Sequence, residues 1–508
     1  MTTVDQVTGL RRDEPRGRWV LLATVLGSGM AFLDGTVVNV ALPAIGRDLG
    51  ADLAGLQWTI NAYTLTLAAF ILLGGAAGDR FGRRRVFVIG VVWFAAGSLA
   101  CGLAPGIGTL VAARAFQGVG AALLTPGSLA LLQASFRKED RGRVIGSWSG
   151  LSGIAAALGP VLGGWLVQSA SWRWAFLINV PIAVVVALVA IRHVPETFDP
   201  SAGRRFDVLG ALLCAVALGA VTFGLVAWGG DGSSGVVWGS VLLGVVAAVA
   251  FIQVERTSSE PMLPLGIFGS GLFRAVNLVT FAVYAALSGV FFMLVITLQL
   301  LAGFSPTAAG AALLPVTGLM LVLSGPAGSL GQRTGPRLPL TLGPLLSTAG
   351  TLLLVRVDST ASYLTDVLPG VALFGLGLSV TVAPLTATVL AAAPLRHAGL
   401  ASGVNNAVAR SAGLLIVAAL PGAVGLSSAT FGEAASLQTG YSRAMLVCAA
   451  LLAVGAGLGA VLIRPHRREA PGGGEAVELA LPVSPCRVHC AVGGPPLQPE
   501  SADETAAT

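Results

Sequence analysis

Apolar residues run in long blocks along this chain, separated by short polar breaks, as far as residue 463. A helix needs about 20 mostly apolar residues to cross the hydrocarbon core of a bilayer. Fourteen blocks reach that length: 18–42, 57–78, 86–104, 107–134, 143–169, 173–192, 207–228, 235–254, 273–301, 308–330, 337–357, 364–393, 399–426 and 441–463. The breaks between blocks five and six and between eleven and twelve are short, so those boundaries are the least marked. The first block is too long for a cleaved signal peptide and carries Asp34 and Asn39 inside it. The pattern predicts an all-α polytopic membrane protein with 14 transmembrane helices.

The charged residues then set an orientation. Arg11, Arg12, Arg16 and Arg18 precede the first block. Arg80, Arg83, Arg84 and Arg85 fill the second-to-third break, and Arg137, Lys138, Arg141 and Arg143 the fourth-to-fifth. Arg192, Arg204 and Arg205 follow the sixth block, whereas the alternate side shows Arg47, Arg173, Arg356 and Arg443. Short loops rich in Arg and Lys stay on the cytoplasmic side. Both termini are therefore expected in the cytoplasm, and an even number of spans agrees with termini on one side.

Composition agrees with a bilayer as solvent. Of 508 residues, 55% are hydrophobic and 11% charged, and the mean hydropathy is +0.83. A soluble chain would carry about 25% charged residues. The 68 glycines suit closely approaching membrane helices. The net charge of +6 sits in short patches between apolar runs, which argues against a nucleic-acid partner. Cys101, Cys214 and Cys448 lie in apolar blocks and Cys486 and Cys490 in the tail, with no CxxC spacing, so no zinc site or disulfide framework is expected. Residues 465–508 are rich in Gly, Pro, Glu and Ser and read as a disordered cytoplasmic tail. A metal cluster of Cys486, His489 and Cys490 is the weaker reading of that tail.

The chain contains an internal repeat. Gly75-Ala-Ala-Gly78-Asp79-Arg80-Phe-Gly82-Arg83-Arg84 follows the second block, and Gly328-Ser-Leu-Gly-Gln332-Arg333-Thr-Gly335-Pro-Arg337 follows the tenth. Ser152-Gly153 in the fifth block and Ser402-Gly403 in the thirteenth stand at nearly the same offset. Blocks one to six thus match nine to fourteen, with seven and eight inserted. Repeated halves around a midplane site are transporter architecture. The organisation expected is a segment 1–17, a six-helix bundle 18–192, a linker 193–272 holding two inserted helices, a second six-helix bundle 273–464, and the tail.

Four motifs carry a resemblance to a known family. They are Leu33-Asp34-Gly-Thr36-Val-Val-Asn39-Val-Ala-Leu-Pro43, the loop Gly75 to Arg85, Arg114-Ala-Phe-Gln117-Gly118-Val-Gly120, and Gly153 through Gly159-Pro160-Val-Leu-Gly163-Gly164. Trp172-Arg173-Trp174 and Asn179-Val-Pro181 add to them. Over roughly 18–464 the chain resembles the fourteen-span drug:proton antiporters of the major facilitator superfamily, the QacA/EmrB type. The resemblance implies the major facilitator fold, two six-helix bundles plus two inserted helices. It implies the proton as coupling ion with no other cofactor and no metal, and a monomer in a bacterial plasma membrane. One departure is Gln332 where the first half has Asp79. A charge-based latch should be weaker there.

Asp34 is the acid deepest inside a block. At about 1.5 Å per residue it lies about 24 Å into a core of about 30 Å, and Arg114 reaches a similar depth from the other side. Intramembrane charges are costly and pair or serve function, so Asp34 and Arg114 are the candidates for proton coupling, with a static ion pair as the alternative. Gly75, Asp79, Arg80, Gly82, Arg83 and Arg84 are candidates for a cytoplasmic gate loop, in which Asp79 caps a helix end or pairs with an arginine. In the fifth block, Gly146 with Gly150 and Gly159 with Gly163 are spaced for close backbone contact, and Pro160 should kink the helix. The resemblance marks Gly153, Gly159, Pro160, Gly163 and Gly164 as the antiporter motif. Trp58, Asn61 and Tyr63 could line a drug pocket, although Trp58 also suits an interfacial belt. Asn405, Asn406 and Arg410 put polar groups in block thirteen, to contact substrate or to knit helices.

The function expected is export of small hydrophobic or amphipathic compounds, drugs or antibiotics, against inward proton flow. A narrow exporter of one antibiotic, amino acid or siderophore is the alternative. A membrane-embedded enzyme or sensor finds no support, since the four histidines sit at block ends or in the tail and no nucleotide-binding loop occurs.

Overall fold

Four of the helices start at a residue whose side chain caps the first turn. The side chains of Asp52, Asp207, Ser270 and Ser305 accept from backbone N–H groups in those turns. The first helix ends at Gly50 in a left-handed conformation, φ +59°. In this computed structural model residues 9–199, 206–230, 232–393 and 398–463 are described. The tail, with Cys486, His489 and Cys490, lies outside them.

The helices are α1 Pro15–Leu49, α2 Leu53–Phe81, α3 Arg83–Gly102, α4 Ile107–Ser135, α5 Lys138–Ser169, α6 Trp174–Leu177, α7 Asn179–His193, α8 Val208–Gly229 and α9 Ser234–Thr257. After a 3-10 turn at Leu265–Gly269 come α10 Gly271–Leu300, α11 Pro306–Ala311, α12 Leu314–Thr334 and α13 Arg337–Leu354. A π-helical turn, Tyr363–Val367, leads into α14 Leu368–Ala391, followed by α15 Ala398–Ala423 and α16 Ala434–Leu462.

Among the described residues, 13 helical segments are long and apolar enough to cross a membrane, with α6–α7, α11–α12 and the π turn with α14 each forming one span. The block expected at 337–357 is helical as α13 but is not among the 13. It has 18 residues, begins with Arg337 and includes Pro339 and Pro344. It packs along α14 and α16. Both short linkers do break the chain, at 170–173 and at 355–362.

Packing follows the repeat. Helices α1 to α7 contact one another extensively, above all α2 with α4, α3 with α4 and α1 with α5. Among α10 to α16 the main contacts are α13 with α14, α10 with α16 and α12 with α14. Small residues make the tightest of these seams. A Cβ on Gly120 of α4 would lie 2.5 Å from the backbone nitrogen of Phe94 in α3, and one on Gly350 of α13 would strike that of Phe374 in α14. The inserted pair α8–α9 packs on itself, and α8 also lies against α2 and α15, covering their seam.

Two seams join the first seven helices to the last seven: α2 with α15, and α5 with α11 and α12. The hydrogen bonds between the two sets of helices sit at the membrane face opposite the N-terminus. Gln57 donates to the carbonyls of Val417 and Ala418 at 2.7 and 3.0 Å, Gln299 to that of Val40 at 3.0 Å, and Ser428 to Asp52 at 3.2 Å. At the N-terminal face the approach is apolar: a Cβ on Gly403 would lie 2.8 Å from Leu72. The N-terminal face also gathers the basic breaks. There Arg137 donates to the Gly9 carbonyl, Arg16 to the His193 carbonyl, and the Arg12 backbone to Asp140.

Candidate functional site

A polar cluster is built into the otherwise apolar first half. Asp34, at 0% exposure in α1, meets Arg114, at 1% in α4, with Oδ2 2.6 Å from the Arg114 Nη1. Three residues on, one helical turn, Gln117 donates from Nε2 to Asp34 Oδ1 at 2.9 Å. Asn179, the first residue of α7, donates to the same oxygen at 3.2 Å. Ser98 Oγ of α3 accepts from both amides, at 2.7 and 3.3 Å. The carboxylate thus takes three donors from two other helices.

Arg114 is satisfied in turn. Its Nη1 also donates to the Gln117 oxygen at 2.6 Å, and its Nε to the Thr59 carbonyl at 3.0 Å. The Tyr63 ring lies 4.2 Å from its guanidinium carbon and the Phe176 ring 5.6 Å away. A buried ion pair offsets its desolvation only when the remaining donors and acceptors are matched. Here α1, α2, α3, α4 and α7 all contribute to that matching. Of the group, the Asn179 Oδ1 is buried without a partner.

In the loop between α2 and α3 the structure takes the second of the two roles expected of Asp79. Asp79 does not cap a helix; it pairs with Arg83, one turn on, at 2.8 Å. The start of α3 is capped by Glu196, whose carboxylate accepts from the backbone N–H groups of Arg84 and Arg85 at 3.0 and 3.2 Å. Gly82 has φ +106°, where a side chain is strained, and a Cβ there would strike the Glu196 carboxylate. The segment after α7 straps the loop: Arg83 donates its N–H to the Thr197 carbonyl and Asp199 to the Asp79 carbonyl, both at 2.8 Å. Arg80 lies over the Phe81 and Phe206 rings, 5.2 and 4.8 Å from their centres, and Gly75 faces Pro126 of α4.

In α5 the glycines divide into two sets. Gly146 and Gly150 have nothing within 4 Å of a Cβ position, and neither has Gly153, so the close contact expected of the first pair is not made. Gly159 and Gly163 instead seat Thr36 and Val37 of α1, and Gly164 seats the Pro306 backbone of α11. Gly310 of α11 lies on the Pro160 carbonyl, so the backbone at Pro160 is itself a contact surface.

Residues 24–418 match the model of the Major Facilitator Superfamily. The chain belongs to this superfamily. It is 36% identical over 393 residues to the multidrug resistance protein Stp of Mycobacterium tuberculosis, covering 76% of this chain and 72% of that one. It is 38% identical over 417 residues to a puromycin resistance protein of Streptomyces alboniger, covering 80% and 82%. With the tetracenomycin C resistance and export protein of Streptomyces glaucescens it shares 36% over 412 residues, 80% and 76% of the two chains. Among solved structures it is similar to the D-xylose–proton symporter, with TM-score 0.62, 16% identity and 88% and 98% coverage. The same holds for a POT family peptide transporter, with TM-score 0.64, 15% identity and 88% and 97% coverage. These last two similarities establish the fold alone. Membership of the superfamily, with relatives named for drug resistance and export, makes this chain a membrane transporter and not an enzyme.

Within this facilitator the pocket candidates separate. Trp58 is half-buried 6.3 Å from the Phe223 ring of α8, and lines a surface groove with Gly55, Ile107, Gly108 and Val111. It therefore does not share the α2 face of Gln57 that meets α15. Tyr63 is taken up by Arg114 and by an edge contact with Phe94. Asn405 knits helices, donating to Asn277 and Thr280 of α10 at 3.1 and 2.7 Å. Asn61 is fully buried with both amide atoms unpartnered. Asn406 and Arg410 are half-buried in α15.

Gln117, Asn179, Ser98 and Glu196 are site residues that sequence reasoning missed. Gln117 and Asn179 lay within quoted motifs, and the three-residue spacing from Arg114 would have placed Gln117 beside it. Ser98 and Glu196 carry no local signal.

Proposed function

We propose that this facilitator is a proton-coupled exporter of small hydrophobic or amphipathic compounds, antibiotics among them, working by alternating access. The observation that carries the reading is the fully buried Asp34–Arg114 pair with its three donors to the carboxylate. Every other described acid in a spanning helix lies within three residues of a helix end. The names of the relatives, which speak of multidrug, puromycin and tetracenomycin resistance, support export as the direction.

The proton step follows from the hydrogen-bond inventory. Ionised Asp34 uses three donors. A proton on it cancels its attraction for Arg114 and adds one donor to a cluster that must then find an acceptor. The unpartnered Asn179 Oδ1 supplies that acceptor once its amide rotates. Freed from its counter-ion, Arg114 keeps Thr59 and Gln117, and the helices that carry the cluster can shift relative to α1.

We read the basic N-terminal face as cytoplasmic and α13 as the fourteenth span, so that both termini lie inside, as in the QacA/EmrB type. On this reading α1–α7 and α10–α16 form the two bundles, residues 193–272 carry the inserted pair, and residues 465–508 are a cytoplasmic tail. The seams are tied by hydrogen bonds at the outer face, which corresponds to an inward-facing state. The Asp79 loop serves as the latch that forms at the inner face when the outer one opens. The protein works as a monomer in a bacterial plasma membrane with the proton as its only coupling partner. The test is efflux in everted membrane vesicles, with cationic, neutral and anionic amphipathic dyes as cargo and an imposed pH gradient. Accumulation accelerated by the gradient is expected, and accumulation indifferent to it overturns the reading.

A further inference from the structure

Arg410 stands near the middle of α15, twelve residues from its first. At about 1.5 Å per residue that is about 18 Å into the helix, close to the midplane. Two contacts fix its level against α2. Gln57 meets Val417 and Ala418, and Leu72 meets Gly403, an antiparallel register that sets Arg410 beside residues 64 and 65. Against α10 the register is parallel: Asn405 meets Thr280 and Gly413 meets Ser288, so Arg410 stands level with Ala285, next to Tyr284. Arg410 therefore lies at the seam between the two halves.

No carboxylate neutralises it among the described residues. The ion pairs are Arg83 with Asp79, Arg84 with Glu196, Arg114 with Asp34 and Arg173 with Asp48. Asp34, the one acid at comparable depth, is occupied by Arg114, Gln117 and Asn179. A midplane guanidinium faces the protein interior or a water-filled path and seeks an anion. One turn along the same α2 face as Gln57 stands Asn61, level with Leu414, with both amide atoms buried and unpartnered. The seam thus offers a fixed cation and, a turn away, an amide with a free donor and a free acceptor.

We infer that Arg410 and Asn61 form the binding site for the charged end of an organic anion, a carboxylate, sulfonate or phenolate on an apolar aromatic body. The inference rests on the exporter reading and narrows its cargo class. The guanidinium fork matches a planar or trigonal oxyanion through two parallel N–H donors, which a cationic drug cannot use. Asn61 reads a neighbouring hydroxyl or carbonyl. The aromatic body packs beside Tyr284 and along the apolar stretch from Val404 to Leu72. A cation, by contrast, finds no free carboxylate at this depth.

Two dyes with the same body and opposite charge test it: pyrenesulfonate and pyrenemethyl-trimethylammonium. Purified full-length protein in proteoliposomes with an imposed pH gradient should carry the sulfonate at least tenfold faster than the ammonium. Arg410→Gln should lower that anion-to-cation ratio at least tenfold, about 1.4 kcal/mol. Arg410→Lys, which keeps the charge and loses the fork, should recover part of the ratio. Preference of the intact protein for the ammonium overturns the inference, and so does an equal loss of both dyes in Arg410→Gln. Quenching of tryptophan fluorescence by pyrenesulfonate in detergent separates the two levels. Binding that depends on Arg410 without any transport supports the anion site and sinks the exporter reading. Absence of binding to the intact protein sinks the site.

Discussion

Gln117 donates to Asp34 Oδ1 at 2.9 Å through the same amide whose oxygen accepts from Arg114 at 2.6 Å. The glutamine therefore holds both members of the buried pair, and its orientation is fixed from both sides. Gln117→Leu removes one donor from the carboxylate and one acceptor from the guanidinium without changing the charge. A buried hydrogen bond to a charged group is worth about 1.5–3 kcal/mol. The expected outcome is an inserted protein destabilised by about that amount, with gradient-driven efflux reduced at least tenfold. Thermal unfolding and vesicle efflux of the same preparation check it. Unchanged efflux would leave Gln117 with a packing role.

The α5–α11 seam gives a second prediction. Gly310 lies on the Pro160 carbonyl and Gly164 on the Pro306 backbone, both at the face opposite the N-terminus. A leucine side chain at Gly310 cannot fit while that face is closed. Gly310→Leu is expected to hold the face open and reduce efflux at least tenfold. A cysteine introduced by Thr307→Cys should then react faster with an impermeant thiol reagent than in the parent background. Equal reactivity in the two backgrounds counts against the seam as a gate.

Much of this was legible because lipid imposes a simple rule: spans must be long and apolar. The blocks in the sequence accordingly match the helices, and Asp34 and Arg114 stood out as charges inside them. Helix rotation was not legible. A helix apolar on every side lacks the amphipathic stripe that shows which face turns inward. Trp58 and Asn61, three residues apart, therefore both stood as pocket candidates, although one meets α8 and the other is fully buried. The same ambiguity hid which glycine pair in α5 packs. It also hid Glu196, which caps a helix more than a hundred residues earlier in the chain, a long-range contact without sequence periodicity.

Glu196 and Asp79 should separate stability from transport. Glu196 caps α3, and loss of a cap costs about 1 kcal/mol. Glu196→Ala is expected to lower the unfolding free energy by about that much. Asp79 forms a partly exposed pair with Arg83, its side chain 41% exposed, and such pairs contribute about 0–1 kcal/mol. Asp79→Asn should therefore leave folding nearly unchanged while reducing transport, because its role on the proposed reading is the inner latch. Gln332, exposed near the end of α12, should tolerate alanine. Normal transport by Asp79→Asn together with failure of Gln332→Ala would reverse the assignment.

Asp34→Asn tests the coupling itself. The carboxamide keeps the size of the carboxylate but not its charge, and one of its two heads must face a donor with a donor. Arg114 is then buried without a counter-ion. Breaking a buried pair by removing one partner costs about 3–5 kcal/mol. Loss of transport in the single variant could reflect that cost alone, so Arg114→Gln is added in the same chain to remove the orphaned charge. The double variant is expected to regain most of the lost stability and to insert normally. It should still bind cargo, pyrenesulfonate included, because the Arg410 and Asn61 end of the site is untouched. Its efflux should be indifferent to an imposed pH gradient, since Asp34 is the acid that carries the proton on this reading. If vesicles of the double variant still accelerate efflux when the gradient is applied, the proton travels through another group, and the Asp34–Arg114 pair is a structural tie between α1 and α4.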